Sequence, residues 1–351
     1  MYRLCILSSK ATSLKNVSED ISFVASQKNY IPIVYTMLRS PFELYEAFDR
    51  IVFVMTFTPL YARAWFGCAR DVWRRGRGRP TVFYTTIEGL PKPNLVLDWM
   101  RDFAPIVANS EYTRRMLLRA GIRVIDLVYH GIIPDYVETA KPLVKGIRRK
   151  LEERLGEGVY FGVVSTSHPR KGLDYLLQAV KLVRQQTKEA KFVVITDTDL
   201  SGVEGVYVEK SFGSHTREKI LALMGAMDFM IVPSLCEGFG LIVIEANAMG
   251  RPVIHCQYPP LTEISGEYNL MYPFNDVKFV DVGDGILYEF HIYDPRELAS
   301  TILDAVDMVK NRKSEYIDRC EKAVSVLDRF NAYKLYKRLL EILETVGSKS
   351  V

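Results

Sequence analysis

No run of apolar residues in this chain of 351 reaches the roughly 20 that a membrane-crossing helix needs. Cysteine is scarce. The five residues, Cys5, Cys68, Cys236, Cys256 and Cys320, are scattered and form no Cys-x-x-Cys pair. That argues against a disulfide framework and a structural zinc site, and it fits buried free thiols in a reducing compartment. The histidines His130, His168, His215, His255 and His291 lack metal-ligand spacing as well. Neither a fixed-period repeat nor a low-complexity tract is visible. The opening MYRLCILSSK reads as a short strand rather than a leader. These absences lead to the expectation of a cytoplasmic globular protein.

What is present supports that class. Hydrophobic residues make up 48% and charged residues 25% of the chain, enough apolar material for two cores at this length. The net charge of +4 is unevenly spread, since residues 1–135 carry 18 Lys and Arg against 12 Asp and Glu. A basic first half points to an anionic partner, such as a membrane surface or a phosphorylated substrate.

Both halves alternate short β-branched runs with longer amphipathic segments, the pattern of parallel sheets covered by helices. Strands are expected at RLCILSS, IPIVYTM, IVFVMTF, TVFYTT, PIVANS and RVIDLVYH, with helices at 13–27, 59–74 and 110–120. Ser110 is a plausible N-cap for the last of these, and Gly121 follows its end. Pro134 and Pro142 mark a linker. The second half restarts with VYFGVVSTS and a helix over 172–186, then the strands KFVVIT, DFMIVPS and RPVIHC. From Pro295 three helices follow. The expected domains are therefore 1–137, 138–330 and a terminal helix at 331–351 that returns to the first. Ligand is expected beyond the carboxyl ends of the strands.

The segment SLCEGFGLIVIEANAMGRPVIH, Ser234 to His255, carries the chemistry. A strand ending in Pro-Ser runs into the turn EGFG, and a helix follows that stops at Gly250. Such a strand-to-helix turn offers backbone N–H groups at the positive end of a helix dipole, where phosphate binds well. Gly238 and Gly240 let the backbone approach an anion closely. Glu237 lies in the turn, and Glu245 sits about a turn and a half into the helix among Ile242, Val243, Ile244 and Ala246. A buried glutamate needs a ligand or an arginine to meet it. Spacing alone equally allows both to be solvated residues.

EGFGLIVIEANAMGRPVI resembles the E-x7-E signature of the family 4 retaining glycosyltransferases. That resemblance implies an α/β GT-B fold, two doubly wound Rossmann-like domains facing a central cleft. It also implies a metal-independent enzyme without a cofactor that takes a sugar from a UDP-, GDP- or ADP-sugar. In that family the first glutamate meets hydroxyls of the donor sugar and the second those of the ribose, which assigns Glu237 and Glu245. Gly238, Phe239, Gly240 and Leu241 would then meet sugar and diphosphate. In STSHPRKGLDYLLQAV, Arg170 and Lys171 take the diphosphate and neutralise the leaving group. Ser165 and Thr166 stand where the family usually carries a Gly-Arg pair, and Glu88 in TTIEGLP stands where it often has a histidine. Configuration is retained by front-face attack in the family's favoured account. The acceptor class (glycan, lipid or protein) does not carry over.

His130 in HGIIPDYV is expected to be a hinge residue. Asp197 and Asp199 in TDTD are expected to cap a turn, and a metal-dependent transferase using them is one alternative function. A catalytically silent nucleotide-sugar binding protein is another. The stretch Pro59–Pro80 mixes Tyr61, Trp65 and Trp73 with six arginines, which suits peripheral contact with an anionic membrane. One arginine-dense segment is too little for a nucleic-acid surface.

Overall fold

The structure, a computed structural model, describes residues 1–76, 79–103, 105–200, 202–209 and 213–348. The chain divides into two compact units: 1–133 with 279–289 and 330–351, and 134–278 with 290–329.

The first unit contains β1 (Tyr2–Ser8), β2 (Tyr30–Tyr35), β3 (Arg50–Thr56), β4 (Thr81–Thr86), β5 (Gly89–Pro91), β6 (Ile106–Ala108) and β7 (Asp126–Leu127). All but β5 form one parallel sheet in the order β2-β1-β3-β4-β6-β7. Its central strands are buried on both faces, as continuous apolar sequence requires. Phe53 stacks on Phe83 at 4.5 Å, and Phe66 meets Phe83 edge-on at 4.4 Å. Ser110 caps the helix Glu111–Arg119 by accepting the Thr113 N–H at 3.0 Å.

The second unit holds β8 (Val159–Val164), β9 (Ala190–Ile195), β10 (Val206–Glu209), β11 (Phe229–Val232), β12 (Val253–Cys256) and β13 (Leu270–Tyr272). They make a second parallel sheet, ordered β10-β9-β8-β11-β12-β13. The order reverses beside β8, so the loops after β8 and β11 share one carboxyl edge, the location where doubly wound sheets bind ligands.

Among the differences from expectation, three bear on the architecture. The supposed linker is a helix, Pro134–Leu155, running through Pro142. A proline inside a helix costs a backbone hydrogen bond, but tertiary anchoring outweighs it here. Arg148 on this helix donates to the Ala226 carbonyl at 3.0 Å, to Asp228 at 3.0 Å and to the Gly158 carbonyl at 3.1 Å. Second, a hairpin of β14 (Asp276–Asp281) and β15 (Ile286–Ile292) was not anticipated. Ile286–Tyr288 pairs antiparallel with β5, and a Lys92–Asp281 ion pair reinforces the hairpin. Third, the chain from Pro295 forms Pro295–Asn311, Lys313–Ala323, the single turn Val326–Arg329 and Ala332–Ser348, four helical segments rather than three.

The last of these helices packs in the first unit. Arg50 clasps Glu344 through Nε and Nη2, both at 2.9 Å, and the Tyr30 hydroxyl donates to the same carboxylate at 2.7 Å. No helix among the described residues is long and apolar enough to cross a membrane.

Candidate active site

The irregular segment between β11 and the helix Leu241–Ala248 is buried throughout, from Pro233 to Gly240. Glu237 sits within it, 8% exposed. Its Oε1 accepts from Lys171 Nζ at 2.5 Å and from Ser234 Oγ at 2.7 Å, and its Oε2 from Arg170 Nη1 at 3.4 Å. Burial pushes the carboxyl pKa up. The charges of Lys171 and Arg170, with hydrogen bonds from Lys171 and Ser234, outweigh this and hold it down to about 2. Glu237 is thus a carboxylate at physiological pH, suited to accept hydroxyl protons in hydrogen bonds and unsuited to act as a general acid.

The two cations occupy a single 3-10 turn, Pro169–Lys171, after β8. His168 caps it, its Nδ1 accepting the Arg170 N–H at 3.2 Å. Gly172 ends the turn with φ +63° and opens the helix Leu173–Gln186. A Cβ there would lie 2.0 Å from the Pro233 carbonyl oxygen, so glycine alone lets the two turns meet. Gly240 takes φ +97° at the start of its helix, a left-handed backbone that favours glycine.

Glu245 is buried, and Arg217 Nη1 meets its Oε1 at 2.6 Å. The sequence demanded a ligand or an arginine at this carboxylate without showing which residue would serve. Arg217 opens the helix Arg217–Gly225, 28 positions away, and no local signal marks it. Behind Glu245, Asn247 and Asn269 exchange amide hydrogen bonds at 2.8 and 3.0 Å. Asn269 also donates to Ser265 Oγ, which lies 2.8 Å from His255 Nε2. This buried polar chain fixes the helix that presents Glu245.

Ser165 and Thr166 follow β8, with the Ser165 N–H on the Ile195 carbonyl at 3.1 Å. Asp197 accepts the Ser167 N–H at 3.2 Å, and Thr196 Oγ1 accepts the Thr198 N–H. Glu88 belongs to the first unit, half-buried between β4 and β5, with its carbonyl taking the Glu289 N–H at 3.3 Å. The second unit thus brings together Glu237, Arg170 and Lys171 in direct contact and carries Ser165, Thr166, Gly238–Leu241 and Glu245 on the segments that follow β8 and β11.

His130 is buried, with Nδ1 2.9 Å from the Tyr84 hydroxyl and Nε2 3.0 Å from Asn109 Nδ2. Burial draws its pKa down to about 3. On the helix Pro59–Gly76, Trp65 is buried against Phe53 at 5.4 Å and is not a surface anchor, whereas Leu60 and Tyr61 are exposed. The Trp73 side chain and residues 77–78 lie outside the described residues.

A profile of the family described as Glycosyl transferases group 1 matches residues 158–307. Glycosyltransferase 335 of Sulfolobus islandicus rod-shaped virus 1 is 30% identical over 97% of this chain and 100% of its own length. The 2-deoxystreptamine glucosyltransferase of Streptomyces kanamyceticus is 28% identical over 44% of this chain and 43% of that protein. Among solved structures, Anabaena HepE in complex with UDP-glucose superposes with a TM-score of 0.71 at 15% identity, covering 98% of this chain and all of that one. Sucrose-phosphate synthase from Thermosynechococcus elongatus gives 0.70 at 13%, covering 99% and 100%. At such identities the likeness establishes the fold, which is GT-B.

Proposed function

Because this chain belongs to the group 1 glycosyl transferases and is a glycosyltransferase, we propose that it moves a sugar with retained anomeric configuration from a nucleotide-diphospho-sugar. The observation that carries the reading is Glu237, an ionised buried carboxylate held between Lys171, Arg170 and Ser234 beside a helix start. Heterolysis of the anomeric C–O bond puts positive charge on the sugar and negative charge on the diphosphate. Preorganised cations and a helix N-terminus stabilise that leaving group without rearranging in the transition state. Lys171 and Arg170 take this role, and Glu237 accepts donor-sugar hydroxyls.

Glu245 receives the ribose hydroxyls on the oxygen opposite Arg217. Gly238, Phe239, Gly240 and Leu241 line the diphosphate and sugar, and Ser165 and Thr166 lie on the diphosphate side. The reaction needs no metal in this scheme, because the cations of the protein do the neutralising. Glu88 is the remaining catalytic candidate, in the place where the family often has a histidine near the donor sugar. Support for a UDP-linked donor comes from HepE, whose complexes contain UDP-glucose, or UDP. The exposed Leu60 and Tyr61 beside Arg63 suit peripheral contact with an anionic membrane surface from the cytoplasm.

The test is a thermal-shift screen against UDP-, GDP- and ADP-sugars, followed by nucleotide release from whichever stabilises the protein. Binding of one donor with slow turnover is the expected result. Binding without any release leaves a silent binder, and activity lost in EDTA would point to Asp197 and Asp199.

A further inference from the structure

Loops rarely run through protein interiors, because their backbone polar groups must then be satisfied without water. Pro233–Gly240 is an exception, buried at all eight positions. Three consecutive carbonyls in it have dedicated donors. The Tyr293 hydroxyl donates to Pro233 O at 2.7 Å, and the Tyr258 hydroxyl donates to Ser234 O at 2.8 Å. The His291 N–H donates to Leu235 O at 2.8 Å. The intervening Leu235 N–H is spent on the Arg170 carbonyl at 2.7 Å, which ties the cation turn into the same clamp.

The donors are themselves immobile. The Tyr258 ring stacks on His291 at 4.2 Å with 6° between planes, and Phe274 closes on His291 edge-on at 4.9 Å. Tyr293 is wedged between Tyr175 at 4.9 Å and Tyr272 at 4.7 Å. Both tyrosines are fully buried, so their hydroxyls have no competing water. The pinned carbonyls end two residues before Glu237.

We infer that Tyr258 and Tyr293 are positioning residues of the donor site, holding the Pro233–Leu235 backbone so that Glu237 and the Arg170–Lys171 turn meet one ligand in register. This rests on the donor-site reading above. Neither tyrosine touches the ligand. Each acts through the carbonyl it holds, and displacing a reacting group by about 1 Å can cost about a hundredfold in rate.

The experiment compares Tyr258→Phe and Tyr293→Phe with Tyr160→Phe. Tyr160 is a buried tyrosine of the same unit whose hydroxyl also donates to a backbone carbonyl, Gly156 O at 2.6 Å, but near the amino end of β8. All three keep the ring and lose a hydrogen bond to a backbone carbonyl, buried for Tyr258 and Tyr293 and partly buried for Tyr160. Donor hydrolysis is measured with UDP-glucose, GDP-glucose and ADP-glucose, together with binding of the matching free nucleoside diphosphate and Tm.

The expected result is a Tm loss in all three, with kcat/KM for donor hydrolysis falling about tenfold in the Tyr258 and Tyr293 variants alone. Nucleoside diphosphate affinity should fall by less than kcat/KM does, because the loosened cation turn still reaches the diphosphate while its register with Glu237 is lost. The inference is overturned if both variants keep wild-type donor kinetics, or if all three lose activity in proportion to Tm. A wild-type protein that neither binds nor hydrolyses any donor overturns the donor-site reading itself, and this inference with it.

Discussion

Lys171 Nζ reaches Glu237 Oε1 at 2.5 Å across 66 positions of sequence, joining the loops that follow β8 and β11. Lys171 and Arg170 together balance the buried Glu237 carboxylate, and a bound diphosphate ester would share the same cations.

Replacing one member should separate function from fold. Glu237→Gln keeps the shape and the Ser234 hydrogen bond but cannot balance Lys171 and Arg170, so donor turnover should fall to background while the circular dichroism spectrum is unchanged. Glu237→Ala leaves two cations facing an apolar gap and should also cost about 3–5 kcal/mol in urea denaturation. Wild-type turnover in Glu237→Gln would remove Glu237 from the site.

Gly172 permits the approach of the two turns. Gly172→Ala adds a Cβ 2.0 Å from the Pro233 oxygen at a backbone angle of φ +63°. The strain should cost about 1–3 kcal/mol and push the turns apart. Donor turnover should then fall more than Tm alone explains, which a comparison at matched fraction folded would check.

Arg217 is the partner that Glu245 requires. Arg217→Met preserves the length of the side chain and strands a buried carboxylate, so about 3–5 kcal/mol of stability should be lost. Combining it with Glu245→Gln should recover a large part of that loss, because the unpaired charge disappears. A double-mutant cycle in urea reads the coupling.

Acid should destabilise the protein in two windows. Burial holds His130 down to about 3. It also holds His255 down to about 4, against the opposing hydrogen bond to the Cys256 carbonyl. The unfolded chain protonates both near 6.5, so it binds more protons than the native state, and stability falls as pH drops from 6.5 towards 4. Glu237, depressed from 4.5 to about 2, adds a further loss below 4.5. Urea midpoints at pH 7, 5.5, 4 and 3 should fall in that order, and His255→Asn should flatten the upper window.

What could be read from the sequence was local. The strand–turn–helix around Glu237 and Glu245, the Ser110 cap and the cation turn each lie in one continuous stretch whose periodicity and glycines declare them. What stayed hidden was tertiary. Arg217 is one surface-type residue at a helix start, and nothing nearby says that it bends toward Glu245. Tyr258, His291 and Tyr293 carry no motif in the sequence, and only the fold sets their donors against three successive carbonyls. Pro142 suggested a break, but its helix is held by the long-range bonds of Arg148, which outvote local propensity.

The clasp between Arg50 and Glu344 bears on the order in which the protein matures on the ribosome. The first unit opens with β1 yet is completed by the helix Ala332–Ser348, which lies against the helix Thr12–Ser26 and β4. Until that last helix is synthesised, the apolar surface it covers in the first unit stays open to water and to other chains. The first unit therefore closes only after the second has been synthesised. Nascent chains stalled short of residue 332 should be the ones most prone to aggregate or to engage chaperones.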